Sequence, residues 1–297
     1  MGQPKTIFLT GGNGFIGRNI IEQLGGTYTI YAPSRSELNL LDSNAVYTYL
    51  QKCPVDFVIH AANIGGKRNS IDTGDWEEKN MTMFQNIVVA KQYFSRMIVL
   101  GSGAEYDKRY PIIMAKEDDA LIAEPIDPYG RYKKKCSEFA STHDFITHLR
   151  LFGIFGPYED YRVRFISNNI CRVLLNLPIL IKRNVMFDYL YIDDFIQILA
   201  ILLEKEILEY AHYNVCTGSS IDLITLANYI KDISQKNVEV QVKQDGLNKE
   251  YSGENCRLMK ELQGFEFTNI KKSIEHLYRW YEERIHIIDK EAVQFDS

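Results

Sequence analysis

TIFLTGGNGFIG, residues 6–17, is the stretch of sequence that decides the fold. Its first part, Thr6–Thr10, is apolar and β-branched and predicts a strand, and a helix is predicted over Ile16–Leu24. The glycines between them allow a tight turn and let backbone N–H groups approach a pyrophosphate at the positive end of that helix. We therefore predict a dinucleotide-binding turn with cofactor contacts from Gly11, Gly14, Phe15, Ile16 and Gly17.

The rest of the first half repeats this alternation of short strands and longer helices. Strands are predicted over Thr6–Thr10, Thr29–Ala32, Val55–His60, Met97–Gly101 and Phe145–Leu151. Helices are predicted over Ile16–Leu24, Ser43–Gln51, Trp76–Phe94 and Tyr129–Ser141. Strands that alternate with helices are typical of βαβ units, so the predicted fold class is α/β with a doubly wound parallel sheet.

After Pro157 the pattern is looser and predicts a smaller C-terminal α/β substrate domain. The predicted elements are a helix over Phe165–Leu175, a strand over Tyr189–Ile192, a helix from Asp194, a strand over Tyr213–Cys216, and helices over Asp222–Lys231 and Lys271–Glu283. We expect residues 1–157 and about 187–216 to form the cofactor-binding domain, and about 158–186 and 217–297 to form the substrate domain. The final dozen residues are predicted to be a loosely held tail.

Composition excludes several classes of protein. The 297 residues carry a formal net charge of −5, which does not favour binding to a nucleic-acid backbone. The five cysteines are scattered without a CxxC pair, which indicates reduced thiols in a cytoplasmic protein and no metal site. No apolar run approaches the roughly 20 residues that a membrane-spanning helix needs, so we expect no membrane association.

The end of the second predicted strand indicates the cofactor. It runs into Ser34 and Arg35, whereas NAD sites usually place an acidic residue near here to hold the ribose 2′-hydroxyl. A guanidinium fork matches the oxygens of a 2′-phosphate. Ser34 and Arg35 therefore predict NADP(H).

Three residues are candidates for catalysis. Tyr129 and Lys133 are four apart and share a face of the predicted helix, and Ser102 follows a strand at the edge of the sheet where ligands bind. Reduction of a ketone needs a proton donor and hydrogen bonds to the developing alkoxide. Tyr129 would supply the proton, Ser102 would bind the carbonyl oxygen, and the Lys133 ammonium would favour the ionised phenol and hold the nicotinamide ribose.

These residues resemble the extended short-chain dehydrogenase/reductases, the NAD-dependent epimerase/dehydratase family with a Rossmann sheet. The similarity spans nearly the whole chain. It is carried by residues 10–17, His60-Ala61-Ala62, Ser102 with Tyr106, Tyr129 with Lys133, Gly156-Pro157 and Tyr191-Ile192-Asp193-Asp194. Within the family, the run 35–42 and the loop 61–66 are similar to the GDP-fucose synthases.

The resemblance implies further contacts and an assembly. It adds Asp42, Ala61 and Ala62 to the cofactor contacts. It places Gly65, Gly66, Ser102, Gly103 and Ala104 near the substrate. It also implies a homodimer in which the helices near 76–94 and 129–141 pair with those of a second copy.

Departures from the family pattern narrow the expected reaction. Sugar dehydratases of the family have an Asp-Glu pair where this chain has Gly103 and Ala104, so we expect no elimination. GDP-fucose synthases epimerise neighbouring carbons with a Cys and a His. Those positions correspond here to Ala104 and, across a gap, Arg164, and neither side chain suits general acid–base chemistry.

The nucleotide of the substrate stays open at this stage. Family members often have an Arg before the Asp188-Tyr189 pair, and this chain has Phe187 there. Arg164, Lys182 or Arg183 could take over the phosphate contact. The leading hypothesis is a reductase that uses NADPH on the 4-keto group of a nucleotide-linked 4-keto-6-deoxy sugar. The alternatives are a nucleotide-sugar 4-epimerase with retained NAD and a non-catalytic dinucleotide sensor or scaffold.

Overall fold

The computed structural model describes residues 3–65 and 74–294. Its strands are β1 (Thr6–Thr10), β2 (Thr29–Tyr31), β3 (Val55–His60), β4 (Phe94–Ser102), β5 (Ile112–Ala115), β6 (Ile146–Leu151), β7 (Gly153–Phe155), β8 (Ile179–Asn184), β9 (Met186–Phe187), β10 (Tyr189–Tyr191), β11 (His212–Val215), β12 (Ile221–Asp222), β13 (Val240–Leu247) and β14 (Tyr251–Gly253). Its helices are α1 (Phe15–Leu24), α2 (Ser43–Lys52), α3 (Trp76–Val89), α4 (Asp119–Ile122), α5 (Pro128–Ala140), α6 (Phe165–Leu174), α7 (Ile192–Glu204), α8 (Leu223–Ser234), α9 (Cys256–Glu261), α10 (Ile270–Glu282) and α11 (Lys290–Gln294). Short 3₁₀ helices cover Lys91–Tyr93, Gly103–Glu105 and Ile285–Ile287.

A parallel sheet with the strand order β2-β1-β3-β4-β6-β11 forms the centre of the molecule. Strand β1 lies between β2 and β3, so the chain leaves β1 toward one edge and returns to pair on its other side. Such a switch point opens a crevice at the carboxyl ends of the strands. The predicted α/β class with a doubly wound parallel sheet is confirmed.

Helices cover both faces of this sheet because its strands are apolar on both faces. Alternate residues of β1 separate cleanly: Phe8 packs with the residues of α2, α3 and α5, whereas Ile7 and Leu9 pack with those of α1, α6 and α7. All three side chains are fully buried. The two-residue period of the strand thus divides the core into two layers.

The predicted helix over Trp76–Phe94 is wrong in its last residues. Helix α3 ends at Val89, a 3₁₀ turn follows, and Phe94 begins β4, where it pairs with Val55 of β3. Ala90 and Phe94 are buried, and their spacing continues that of the apolar residues in α3. The apolar pattern therefore still predicts a helix where the backbone already forms a 3₁₀ turn and the start of β4. The other predicted elements agree with the structure to within a few residues at each end.

The predicted loose tail is also wrong for the residues that the structure describes. Helix α11 lies near the carboxyl end, and Val293 within it is fully buried. Arg172 of α6 donates a hydrogen bond of 2.9 Å from Nη1 to the carbonyl of Val293. The burial of Val293 and this hydrogen bond together hold α11 against α6.

Smaller sheets assemble beside the central one. One has the order β12-β9-β14-β5, and β8 pairs with β13 and β7 with β10. Most of these strands were not predicted. Because β5 belongs to the first half of the chain and β14 to the second, their pairing joins the two proposed domains. The domain boundaries stay a prediction. Across residues 3–65 and 74–294, no helix combines the length and apolarity needed to span a bilayer.

Candidate active site

A cleft of about 380 Å³ opens at the carboxyl ends of β1 and β3. It is lined by Phe8, Thr10, Gly11, Gly12, Asn13, Gly14, Pro33, Ser34, Arg35, Leu38, Asn39, Leu40, Leu41, Ala61, Ala62, Asn63, Ile64 and Met83. Gly11 has a φ of +76°, and a β-carbon there would lie 2.8 Å from the backbone nitrogen of Ala62. The loops after β1 and β3 therefore meet backbone to backbone, which only glycine permits.

The amino terminus of α1 is built to receive an anion. Gly14 is its N-cap and donates its N–H to the carbonyl of Gly11 at 3.0 Å. Because Gly14 has no side chain to cap the helix, the first N–H groups of α1, at Phe15 and Ile16, stay open to a ligand. A β-carbon at Gly17 would overlap the Gly11 carbonyl, so this glycine lets α1 pack on the turn.

Ser34 and Arg35 line the far end of the cleft. Arg35 is exposed, and the Ser34 N–H donates to Oε2 of Glu37 at 2.7 Å. This bond lowers the pKa of Glu37. Glu37 is not among the predicted site residues, although it lies only two residues beyond Arg35. Asp42 has a structural task of its own, since it caps α2 by accepting the Ala45 N–H at 3.0 Å.

A buried histidine connects the cleft with α5. His60 Nδ1 lies 2.9 Å from the Thr10 hydroxyl, and its Nε2 lies 3.4 Å from the Tyr132 hydroxyl. The Thr10 hydroxyl also accepts the N–H of Ala62 at 3.2 Å. Burial, assisted by the charge of Lys133, lowers the pKa of His60 to about 3. His60 is therefore neutral at physiological pH, and its two ring nitrogens link the Thr10 hydroxyl at the cleft to the Tyr132 hydroxyl of α5.

The structure brings the predicted catalytic residues together at the end of β4. Ser102 is the last residue of β4, and Tyr129 lies in the first turn of α5. Lys133 is buried one turn later and donates from Nζ to the Leu100 carbonyl at 2.7 Å. Its Nζ lies 5.6 Å from the centre of the Tyr129 ring. The ammonium group thus lies between the phenol and the strand that carries the serine.

Helix α5 begins where it does because of its capping residues. Asp127 accepts the N–H of Gly130 at 2.8 Å, and Pro128 occupies the first helical position. A β-carbon at Gly130 would overlap the carbonyl of Ala104. Gly130 therefore allows α5 to approach the turn that follows Ser102.

A buried ion pair supports that turn. Glu105 accepts the Ser102 N–H at 3.1 Å on Oε1 and the Arg150 Nε–H at 2.6 Å on Oε2. Arg150 in turn donates to the Ser137 hydroxyl of α5 at 2.7 Å. Burial raises the pKa of Glu105, and Arg150 acts against this shift. Neither residue is among the predicted site residues, although an arginine inside the apolar pattern of a strand indicates a buried ion pair.

A tyrosine from a distant part of the sequence completes the surroundings of Ser102. The ring of Tyr251 in β14 packs against Phe152 with 5.1 Å between centroids, and its hydroxyl lies beside Gly103, the residue after Ser102. A β-carbon at Gly103 would overlap the Tyr251 hydroxyl and lie 2.9 Å from its Cζ. Nothing in the local sequence around Tyr251 indicates this position.

The other predicted substrate residues are more scattered. Gly103 and Ala104 are buried in the 3₁₀ turn after Ser102. Arg164 is the N-cap of α6 and lies 3.9 Å from Glu159, and Arg183 is exposed on β8. Gly65, in the loop after β3, accepts a hydrogen bond from Asn63 at 2.9 Å. Gly66 lies outside the described residues. In the described part of the chain no three His, Cys, Asp or Glu side chains are grouped to hold a metal ion.

A parallel sheet with a glycine-lined crevice, flanked by a serine, a tyrosine and a lysine, defines a protein of the short-chain dehydrogenase/reductase class. The model of the family described as "NAD dependent epimerase/dehydratase family" matches residues 7–216, which is more than half of the chain. The chain belongs to this family, a group of enzymes that bind a nicotinamide dinucleotide, and the predicted family is confirmed.

Curated relatives are similar over different lengths. GDP-L-colitose synthase of Yersinia pseudotuberculosis is 35% identical over 107 residues, or 34% of this chain and 35% of that protein. GDP-L-fucose synthase of Escherichia coli (strain K12) is 25% identical over 263 residues, or 77% of this chain and 81% of that protein. The first match thus spans only about a third of the relative's own length.

Solved structures share the fold at low identity. A GDP-L-fucose synthetase from Naegleria fowleri bound to NADP has a TM-score of 0.82 at 16% identity, and the match covers 98% of this chain and 96% of that one. The UDP-glucose 4-epimerase of Thermotoga maritima, solved with UDP-glucose, has a TM-score of 0.78 at 18% identity and covers 94% and 99%. These likenesses show the fold alone, because the identities are low and a GDP-L-fucose synthetase and a UDP-glucose 4-epimerase fit about equally well.

Proposed function

We propose that the protein uses NADPH to reduce the 4-keto group of a nucleotide-linked 4-keto-6-deoxy sugar without epimerising the neighbouring carbons. The observation that carries this proposal is the grouping of Ser102, Tyr129 and Lys133 at the end of β4, beside the glycine-lined cleft. Relatives whose names denote GDP-linked deoxysugar synthases support the substrate class.

The cleft fits a dinucleotide. Gly11 keeps the cradle free of a side chain, and the open N–H groups at the start of α1 suit a pyrophosphate. When bound, NADPH would supply the hydride. The Ser102 hydroxyl binds the keto oxygen of the sugar, and the Tyr129 phenol donates a proton to that oxygen as it becomes an alkoxide. Lys133 Nζ lies 5.6 Å from the centre of the Tyr129 ring and would attract the negative charge that is left on the phenol oxygen after proton transfer.

The residues around Ser102 support simple reduction. Gly103 and Ala104 carry no group that can remove a proton from a neighbouring sugar carbon. Arg164, the second position at which the resemblance implies an epimerising residue, is a permanent cation. A sugar bound with its keto carbon near Tyr129 would therefore meet a proton donor at one oxygen, and positions 103, 104 and 164 would offer no general base to the adjacent carbons.

The preference for NADP(H) rests on Ser34 and Arg35 at the end of the cleft. Arg35 is exposed there and free to pair with a 2′-phosphate. One observation favours the second candidate, a 4-epimerase that retains NAD: Glu37 lies in the same loop and its carboxylate accepts the Ser34 N–H. An acidic residue in this region is what NAD sites use.

Cofactor analysis separates the two candidates. The protein is purified, denatured, and the released nucleotide identified, and oxidation of NADPH is then followed with a panel of GDP-, dTDP-, CDP- and UDP-linked 4-keto-6-deoxy sugars. A reductase releases little or no NAD and oxidises NADPH with at least one of these compounds. Stoichiometric NAD in the released fraction, with epimerisation and no net oxidation, would establish the epimerase instead. Neither turnover nor epimerisation, with intact NADPH binding, would favour the non-catalytic sensor.

We also propose that the protein is a cytoplasmic homodimer joined through α3 and α5. These helices pack on each other within one chain, and Glu77 bridges them with salt bridges to Arg131 at 2.9 Å and Lys135 at 2.8 Å. This packing would let both helices face a second copy together. Sedimentation equilibrium checks the proposal, with a mass of two chains expected and a mass of one chain contradicting it.

A further inference from the structure

Arg150 is an arginine of β6 that is buried beside the end of β4. It pairs in the sheet with Gly101, the residue before Ser102, and only 1% of its side chain is exposed. An arginine keeps its charge at physiological pH, and a charge is expensive to bury without partners. The groups that surround this guanidinium therefore indicate what its burial achieves.

The guanidinium of Arg150 donates hydrogen bonds to three separate segments of the chain. Its Nε–H is donated to Oε2 of Glu105, in the turn after Ser102, at 2.6 Å. Nη2 donates to the Ser137 hydroxyl of α5 at 2.7 Å, and Nη1 donates to the Glu117 carbonyl, in the connection between them, at 3.1 Å. Because a guanidinium is planar and its donors point in fixed directions, these three segments are held in place relative to one another.

Two of these three segments carry proposed catalytic residues. Glu105 accepts the N–H of Ser102 at 3.1 Å on its second oxygen, and so connects the guanidinium to the backbone of the serine. Ser137 lies on α5, the helix that has Tyr129 in its first turn. A short series of hydrogen bonds through one buried guanidinium thus joins the serine to the helix that carries the phenol.

We propose that Arg150 is a positioning residue: its guanidinium fixes the turn after Ser102 and helix α5 to one planar group, and so sets the distance between Ser102 and Tyr129. This inference rests on the proposed ketoreductase function, in which both hydroxyls meet one keto oxygen. Reacting groups have to be held within about 0.5 Å of their productive geometry, so a small shift of α5 lowers the rate. Arg150 acts on the reaction only through Glu105 and Ser137.

Removal of one hydroxyl tests the connection to α5. Ser137→Ala keeps the ion pair of Arg150 with Glu105 and removes the acceptor on the helix, and we expect kcat to fall about tenfold. The Kd for NADPH should change little, because other elements form the cleft that receives the dinucleotide phosphates. Ser141→Ala is the matched control, since the Ser141 hydroxyl lies 2.7 Å from Nε2 of His212. A fall in kcat no larger than that of Ser141→Ala would refute the positioning role.

A kinetic double-mutant cycle separates positioning from a general loss of stability. Arg150→Lys keeps a positive charge for Glu105 but cannot reproduce the planar set of donors, and we expect kcat to fall about tenfold or more. In the Arg150→Lys protein, Ser137→Ala should cause little further loss, because the bond to α5 is already absent. Two losses that simply multiply would show independent residues and overturn the inference. If Arg150→Lys does not fold, the comparison of Ser137→Ala with Ser141→Ala still decides.

Crystal structures of the wild-type and Ser137→Ala proteins test the inference without any substrate. We expect the distance between the Tyr129 hydroxyl and Ser102 Oγ to change by about 0.5 Å or more. An unchanged distance would overturn the positioning role even in a protein whose reductase activity is established. A changed distance in a protein that reduces nothing in the panel would support the positioning role and show that the proposed function is what has failed.

Discussion

The dinucleotide cleft and the surroundings of Ser102 are built in different ways. The cleft is made largely of backbone: Gly11 meets the Ala62 amide directly, and α1 offers its first N–H groups. The surroundings of Ser102 are made of side chains: Glu105 accepts the Ser102 N–H, Arg150 pairs with Glu105, and the Tyr251 hydroxyl lies beside Gly103. A site made of backbone depends on a short local sequence, whereas a site made of side chains depends on the whole fold.

The largest expected effect is a loss of kcat from a change near Ser102, where the site is made of side chains. Tyr129→Phe removes the proposed proton donor and should lower kcat by about 10²–10⁴-fold, the usual contribution of a general acid, while NADPH binds as before. Single-turnover reduction and NADPH fluorescence titration measure the two quantities separately. Turnover at the wild-type rate would remove Tyr129 from the mechanism.

In the dinucleotide cleft, which is made largely of backbone, one added methyl group should lower the affinity for NADPH. Gly11→Ala adds a β-carbon 2.8 Å from the Ala62 nitrogen at a residue with a φ of +76°. Strain of this kind costs about 1–3 kcal/mol of the free energy of unfolding. We expect the turn to relieve it by displacing the N–H groups that face the pyrophosphate, and NADPH affinity therefore to fall about tenfold or more. Gly26→Ala is the control, because a β-carbon at Gly26 meets nothing within 4 Å. Comparable losses in both variants would show that the cradle geometry does not matter.

The preference for the 2′-phosphate should rest on one side chain. Arg35→Asp replaces a cation by an anion at the end of the cleft and should weaken NADPH about tenfold or more, with a much smaller effect on NADH, because only NADPH carries the extra phosphate. Isothermal titration with both cofactors checks this. Parallel losses for the two cofactors would refute a role for Arg35 in phosphate binding.

The smallest effect is expected at Glu37. Glu37→Gln keeps an acceptor for the Ser34 N–H and removes a negative charge near the proposed phosphate, so NADPH affinity should rise about two- to threefold at low ionic strength. The gain should shrink as salt is added, because the loop is exposed. Weaker NADPH binding in this variant would indicate that Glu37 holds the ribose, as in an NAD site.

The same contrast explains what the sequence could and could not predict. The turn around Gly11 and the strands beside it follow from local pattern, and they were predicted to within a residue or two. Ser102, Tyr129 and Lys133 are predicted from local pattern, because Ser102 follows a strand and Tyr129 and Lys133 share a helix face, and their catalytic roles stay a prediction. Tyr251 was missed because it lies on a three-residue strand whose place depends on pairing with β5 and β9. The predicted helix at α3 runs too far because Ala90 and Phe94 are apolar and buried at helical spacing, although they lie in a turn and a strand.

Transfer of deuterium from stereospecifically labelled NADPH to a 4-keto-6-deoxy sugar nucleotide tests the central claim most directly. We expect one deuterium at C4 of the product and, in a parallel reaction in D₂O with unlabelled NADPH, no solvent deuterium at C3 or C5. Absence of label at C4 in every active reaction, or incorporation of solvent deuterium at the neighbouring carbons, would contradict a simple ketoreductase built on Ser102, Tyr129 and Lys133.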